Sequence, residues 1–228
     1  MSNAARVTRP TGRPPIGTGR SLSDQAYERV KALILDGTFR PNQKLTEDDL
    51  AGDLEISRTP IRTALLRLVD QGLVRRAKHG WVVHEPTPAE VQDIYEVRCA
   101  LEGMATGLAA VRASAQQLTD IAALYDRPMD ELLDLPSSVL GEMNREFHEA
   151  IVTACGNQRL IADWRRSREF NITYGMARSF TREELAMCIR GHWAIVEALR
   201  ARDQVVAEES ARRHVLEVQG TALPKLTA

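Results

Sequence analysis

Between residues 45 and 84 the apolar positions change their period twice. After Thr46, Leu50, Ala51 and Leu54 return at helical spacing, and after Ser57 the set Ile61, Ala64, Leu65 and Leu68 does so again. Each stretch carries its own start signal. Thr46 with Asp49 three residues on forms a capping box that opens a helix near Glu47, and Ser57 can cap the next one. Pro60 falls in the first turn of that second helix, where a missing N–H is tolerated. Gly72 ends it. Leu73 to Arg76 and Trp81 to His84 then flank Ala77-Lys78-His79-Gly80, which predicts a hairpin. Beyond the short, stiff linker Glu85-Pro86-Thr87-Pro88, strand-like alternation stops and only helical repeats remain.

The second half opens at Thr87-Pro88-Ala89-Glu90, a capping box with Pro at the first helical position, and the helix it starts runs to about Ala113. Further starts fall at Ser114 with Gln117, at Ser137 or Ser138, at Asn157, at Thr181 with Glu184, and at Asp203. Six helices in that order predict an antiparallel bundle. The whole pattern is mainly α. It is a winged helix-turn-helix with a small β-hairpin wing over residues 21–85, followed by an all-α antiparallel helical bundle over 86–228. Residues 1–20 hold Arg6, Arg9, Arg13 and Arg20, no acid and three prolines, which reads as a disordered basic tail. Such a tail either brushes phosphates or does nothing.

Charge sharpens this picture. The net charge of −1 conceals an asymmetry: residues 1–85 hold 14 Lys and Arg against 10 Asp and Glu, and the remainder 16 against 21. A basic first half and an acidic second half suit one unit on DNA and another off it. Arg58, Thr59 and Arg62 lie off the apolar face of the second helix. There a guanidinium can pair bidentately with guanine, and Thr59 can meet a phosphate or a thymine methyl. Lys78, His79 and Gly80 form the tip of the wing, which offers donors to phosphates or the minor groove.

These residues carry a resemblance. Ile34-Leu35-Asp36-Gly37-Thr38-Phe39-Arg40-Pro41, Leu45, Ser57-Arg58-Thr59-Pro60-Ile61-Arg62, Arg67-Leu68 and Gly72-Leu73-Val74 resemble the DNA-binding domain of the GntR family of bacterial transcription regulators. The resemblance implies operator contacts at Arg58, Thr59, Arg62, His79 and Gly80. The chain departs from the pattern in three places. Asn42 follows Pro41 where a Gly is usual, Thr63 replaces a common Glu, and Asp48 stands where some members carry a DNA-contacting Arg.

The chemistry of the second half rests on histidine. Only five occur in the chain, and His148, His192 and His214 lie on three separate predicted helices. Asn144 precedes His148 by four residues and so shares its face. Three imidazoles and an oxygen suit zinc first, with nickel, iron, cobalt or manganese also compatible, and would leave positions open for water or a carboxylate. Each histidine alone is equally a hydrogen-bonded packing residue. Cys99, Cys155 and Cys188 lack metal-ligand spacing and read as thiols in a reducing compartment.

Residues 87–220 are similar to the effector domain of FadR-type GntR regulators, called FCD. The matching stretches are Val97-Arg98 with Leu101-Glu102, Asn144-Arg145-Glu146-Phe147-His148, Gly156-Asn157 with Leu160, His192 with Ile195 and Ala198-Leu199, and Ala207 with His214. The helix count resembles the VanR-like subgroup. The resemblance implies a metal held by Asn144, His148, His192 and His214, with Asn144 in place of the commoner Asp. It also implies a small organic acid anchored on that metal, with an Arg completing carboxylate recognition. Arg98 is the candidate, and its alternative role is a salt bridge to Glu102 at i+4. Arg145, Asn171 and Tyr174 are further candidates for the cavity lining, whereas Trp193 reads as packing.

The sequence therefore predicts a cytoplasmic, homodimeric transcription factor, not an enzyme. Repressors outnumber activators in the resembled family. It would read an inverted repeat in double-stranded DNA and respond to a small carboxylate. No apolar run is long enough for a bilayer and no secretory segment is evident. Two alternatives stay open. One keeps the regulator but makes the metal structural or absent, with the effector held by Arg98 and hydrogen bonds. The other is a metallohydrolase, which needs a general base; Glu146 and Glu149 flank His148 but point off its helix face.

Overall fold

The computed structural model describes residues 20–168 and 180–226. The first part is built from α1 (Leu22–Leu35), β1 (Lys44–Leu45), α2 (Glu47–Leu54), α3 (Arg58–Asp70), β2 (Val74–Arg76) and β3 (Trp81–Val83). The three strands form an antiparallel sheet in the order β1-β3-β2, with Leu45 opposite Trp81 and Val74 opposite Val83. The apolar repeat of α3 turns inward, so that Ile61, Ala64, Leu65 and Leu68 are fully buried against Val30, Phe39 and Trp81. α1 locks onto α3 through polar contacts at the rim. The Arg67 guanidinium meets Asp24 at 2.7 Å and lies 3.9 Å over the Tyr27 ring, whose hydroxyl donates to Gln71 Oε1 at 2.7 Å.

Local signals account for most element starts. The Thr46 hydroxyl accepts from the Asp49 N–H at 3.1 Å, as expected, but the Asp49 carboxylate binds that same hydroxyl at 2.6 Å rather than closing a reciprocal box. Ser57 is the N-cap of α3, yet its side chain makes no cap bond. Asn42 adopts φ 61°, a left-handed conformation that Asn tolerates better than most residues, which explains why it can stand in for Gly. The strand β1 has no signal in the sequence, because two residues are too few to show a period.

The second part comprises α4 (Pro88–Arg112), α5 (Ala115–Ala123), α6 (Met129–Leu133), α7 (Ser137–Ala154), α8 (Gln158–Arg168), α9 (Arg182–Arg200) and α10 (Gln204–Leu226). Reciprocal capping boxes at Thr87, Ser114 and Thr181 open α4, α5 and α9. Asn157 Oδ1 accepts from the Leu160 N–H, and Asp203 Oδ1 accepts from the Val205 and Val206 N–H groups. The described residues thus hold seven helices here rather than six. The extra one, α6, starts at Pro128 with no side-chain cap, so no polar residue announces it. Neither Ser137 nor Ser138 is a cap; Pro136 precedes the helix instead.

α4 runs through the middle of this bundle and packs against α7, α8, α9 and α10. The core gathers Phe147, Ile151, Trp164, Ile195 and Leu199 around its alanines. It shares no buried residue with the apolar core of the first part. No described helix is long and apolar enough to cross a membrane.

Gly80 holds the hairpin against β1. Its φ is +88°, and a Cβ there would stand 2.8 Å from the Leu45 carbonyl oxygen. Gly80→Ala is expected to destabilise the first part by about 1–3 kcal/mol. Hydrogen exchange should show weakened amide protection within residues 22–83 and unchanged protection over α4 to α10. Loss of protection in both parts would contradict two separate cores.

Candidate functional site

Two sets of side chains stand out. The first lies on the solvent face of the winged helix. Arg58, Thr59, Arg62 and Thr63 are exposed on the first two turns of α3, opposite its buried stripe, and Lys78, His79 and Gly80 are exposed at the hairpin tip. Arg58 is not loose: its Nε lies 3.2 Å from Asp48 and its Nη2 3.8 Å from Glu47, both on α2. Glu47 in turn accepts from the indole N–H of Trp81 on β3 at 3.4 Å. Asp48, a departure from the family pattern, thus sits on the very arginine expected to read bases.

The second set is buried. His148 on α7, His192 on α9 and His214 on α10 converge, with ring centroids 4.5 to 5.4 Å apart. Each can offer a ring nitrogen within 4.8 Å of the others. His192 is only 2% exposed and His214 3%. Burial, reinforced by the neighbouring imidazoles, pushes His192 well below its usual titration range and His214 down to about 3. Both are therefore neutral at ordinary pH, the form that ligates metals. Among the described residues, Nδ1 and Nε2 of His192 and Nδ1 of His214 find no hydrogen-bond partner. Buried polar atoms are seldom left so. Phe147 and Tyr125 wall His192 at 4.6 and 4.5 Å. Gly191 makes room for His214, since a Cβ there would fall 2.4 Å from its Nδ1.

α4 supplies the charges beside this cluster. Glu102, 3% exposed, places Oε2 3.1 Å from His148 Nδ1 and accepts from Arg98 Nε at 3.0 Å through Oε1. Burial is the largest influence and works against the Arg98 charge, but Glu102 and Tyr95 together outweigh it and hold the guanidinium protonated. Arg98 also stacks 4.8 Å over Tyr95.

The three histidines named from sequence thus come together, and Arg98 lies on the same side, already engaged by Glu102. Asn144 sits one turn before His148, half-buried. Arg145 lies on the exposed face of α7, 3.9 Å from Glu149. Asn171 and Tyr174 fall outside the described residues. Trp193 packs against the core and donates to the Tyr125 carbonyl at 3.0 Å. The sequence pairs Glu102 only with Arg98, at i+4. Its second contact, to His148, depends on which helices meet, and no local pattern carries it. A cleft of about 310 Å³ opens beside the cluster, lined by Tyr125, Arg127, Trp193 and Arg200 among others, so Tyr125 belongs to both.

Comparison with known proteins agrees with this geometry. Residues 22–83 match the bacterial regulatory proteins of the gntR family, and residues 93–217 match the FCD domain. An HTH-type transcriptional regulator from the TAR-I ttuE-ttuC' intergenic region of Agrobacterium vitis is 34% identical over 139 residues, covering 58% of this chain and 80% of its own. The HTH-type transcriptional repressor GlaR of Escherichia coli strain K12 is 29% identical over 201 residues, or 83% and 90% of the two chains. Among solved structures, E. coli McbR/YncC superposes with a TM-score of 0.70 at 24% identity over 92% of this chain and 98% of that one, a likeness of fold. Winged helix, buried bundle and both family matches lead to one conclusion: the chain belongs to the GntR family of bacterial regulatory proteins, and it is a DNA-binding transcriptional regulator whose second half is an FCD domain.

Proposed function

We propose that this regulator acts in the bacterial cytoplasm as a homodimeric repressor, and that a small organic acid bound at a divalent metal in the bundle controls its hold on an inverted-repeat operator. The winged helix over 21–85 reads DNA and the bundle over 86–228 senses the acid. The observation that carries the sensing half is the convergence of three buried imidazoles, two of which, His192 and His214, are neutral and keep ring nitrogens without protein partners. His148, His192 and His214 would hold the metal, with Asn144 as the expected oxygen donor. Zinc suits the imidazole set first, and nickel, iron, cobalt or manganese also fit. The Glu102 carboxylate lies 3.1 Å from His148 Nδ1 and would fix which ring nitrogen faces inward, the usual part of a carboxylate behind a metal-binding histidine. A bound cation would supply a positive anchor for a carboxylate in a dry site.

A second reading has its own observation. Glu102 gives His148 an internal partner and Arg98 lies beside it, so the acid could be held by Arg98 without a regulatory metal. In either reading the acid controls the operator only if it binds the DNA-competent and DNA-incompetent states unequally.

On the DNA side, Arg58, Thr59 and Arg62 would enter the major groove, and Lys78, His79 and Gly80 would face the backbone or minor groove. Arg58→Ala and Arg62→Ala are each expected to cost about 1–3 kcal/mol of specific binding, the worth of one bidentate base contact. Fluorescence anisotropy on a duplex selected from a random pool by the native protein checks this. Unchanged affinity would remove the residue from the reading face.

The metal is tested by thermal shift with zinc chloride and a panel of small carboxylates, before and after chelation. Metal should raise the melting temperature of the chelated protein, because a ligand that binds only the folded state stabilises it. Any shift given by a carboxylate should vanish on chelation and return with metal. In His148→Ala both effects should be lost while the helical content persists. A carboxylate shift that survives chelation would favour the Arg98 reading, and a His148→Ala protein that loses its fold would make the metal structural.

A further inference from the structure

We propose that Asp48 is a positioning residue for DNA reading: its carboxylate braces Arg58 so that the terminal fork of the guanidinium meets guanine, and it cancels the charge that Arg58 would otherwise lend to binding any DNA. The inference rests on the reading that Arg58 meets bases, and it adds a carboxylate on α2 as a determinant of specificity.

Three acids, Glu47, Asp48 and Asp49, occupy the first turn of α2, and all suit the positive end of its dipole. Two of them also hold the fold. Asp49 binds the capping hydroxyl of Thr46, and Glu47, with a side chain only 17% exposed, accepts from the Trp81 indole. Asp48 does neither. Its side chain is 71% exposed, and among the described residues its partner is Arg58 on the next helix. Helix-end electrostatics would be served by a carboxylate turned in any direction, so the contact with Arg58 needs its own account.

The atoms involved supply it. The ion pair is made at Nε of Arg58, 3.2 Å from Asp48, while Nη2 lies 3.8 Å from Glu47, longer than a hydrogen bond. The terminal pair, Nη1 and Nη2, is left to donate in parallel to O6 and N7 of guanine. An exposed guanidinium has to be ordered when it meets a base, and one already braced loses less freedom. The same ion pair carries no net charge. Non-specific binding is attraction to phosphates, so a neutralised arginine adds little to it and a carboxylate on that face opposes it. Asp48 therefore lowers affinity for DNA in general and preserves affinity for the right base. Arg62, one turn further along the exposed face of α3, forms no ion pair among the described residues and remains an ordinary cation.

The test uses the full chain and a duplex selected from a random pool by the native protein. Each guanine is replaced in turn by 7-deazaguanine, which lacks the N7 acceptor, and a scrambled duplex of the same length reports non-specific binding. In the native protein one guanine per half-site should lose roughly tenfold in affinity on replacement, and Arg58→Ala should abolish that sensitivity. Asp48→Ala should reduce the penalty at this guanine to roughly threefold or less, with the penalties at all other guanines unchanged. Asp48→Asn keeps an oxygen beside Nε but removes the charge. It should raise affinity for the scrambled duplex roughly threefold or more and steepen its salt dependence by about one unit of slope. A merely structural role would instead lower the melting temperature and weaken every guanine alike. Full sensitivity at the Arg58 guanine in Asp48→Ala, or equal losses at all guanines, would overturn the positioning role. Unchanged affinity of Asp48→Asn for the scrambled duplex would overturn the charge-cancelling role. Native-like binding by Arg58→Ala would remove the underlying reading of Arg58, and this inference with it.

Discussion

An ion pair buried inside an apolar bundle is the constraint around which the second half of this chain is arranged. Removing a carboxylate and a guanidinium from water costs several kcal/mol per ion, and the loss is offset only where geometry and further hydrogen bonds are good. Arg98 and Glu102 meet at 3.0 Å one turn apart on α4, which fixes the pair before any tertiary contact forms. The remaining oxygen of Glu102 then has to find a partner, and His148 on α7 meets it. That contact sets the depth and register of α7 against α4. With α7 placed, His192 and His214 close the cluster from α9 and α10. The polar centre therefore determines how four helices meet, while the alanine-rich core around it permits the approach.

What could be read in the sequence follows from how local each signal is. Thr87, Ser114 and Thr181 announce their helices because a cap and its partner lie three residues apart, and the structure closes all three boxes. Ile61, Leu65 and Leu68 announce a buried face because the period is carried by one element. The failures are of two kinds. β1 and α6 are too short or too plainly capped to show a pattern. Glu102 is different in kind: its tie to Arg98 is visible at i+4, but its tie to His148 spans 46 residues and exists only once two helices pack. The histidines were legible as a group because there are so few of them. Their convergence was an inference from resemblance, and spacing alone could not have supplied it.

The two apolar cores are separate, yet their junction is short and pinned. His84 Nε2, at the end of the wing, lies 3.2 Å from the Glu90 carboxylate in the first turn of α4, and the Asn42 side chain donates to Glu85. Glu90 also closes the capping box of Thr87, whose N–H and hydroxyl, with His84, hold its carboxyl below the usual range. The helix that carries Arg98 and Glu102 to the cluster thus begins against the wing. A displacement of α4 along its axis would be felt at the foot of the DNA-reading part without crossing a flexible tether.

The chain of contacts from Trp81 through Glu47 to Arg58 has a consequence for the DNA itself. Wing and recognition helix are not two fingers that adjust separately; they are tied across the sheet by a largely buried carboxylate, and Arg76 reinforces the tie by lying 5.3 Å over the Trp81 ring. If α3 and the wing both meet DNA as proposed, such a head would carry the two sets of contacts as a single stamp. An extra base pair inserted between the bases met by α3 and those met by the wing would then weaken both sets of contacts together.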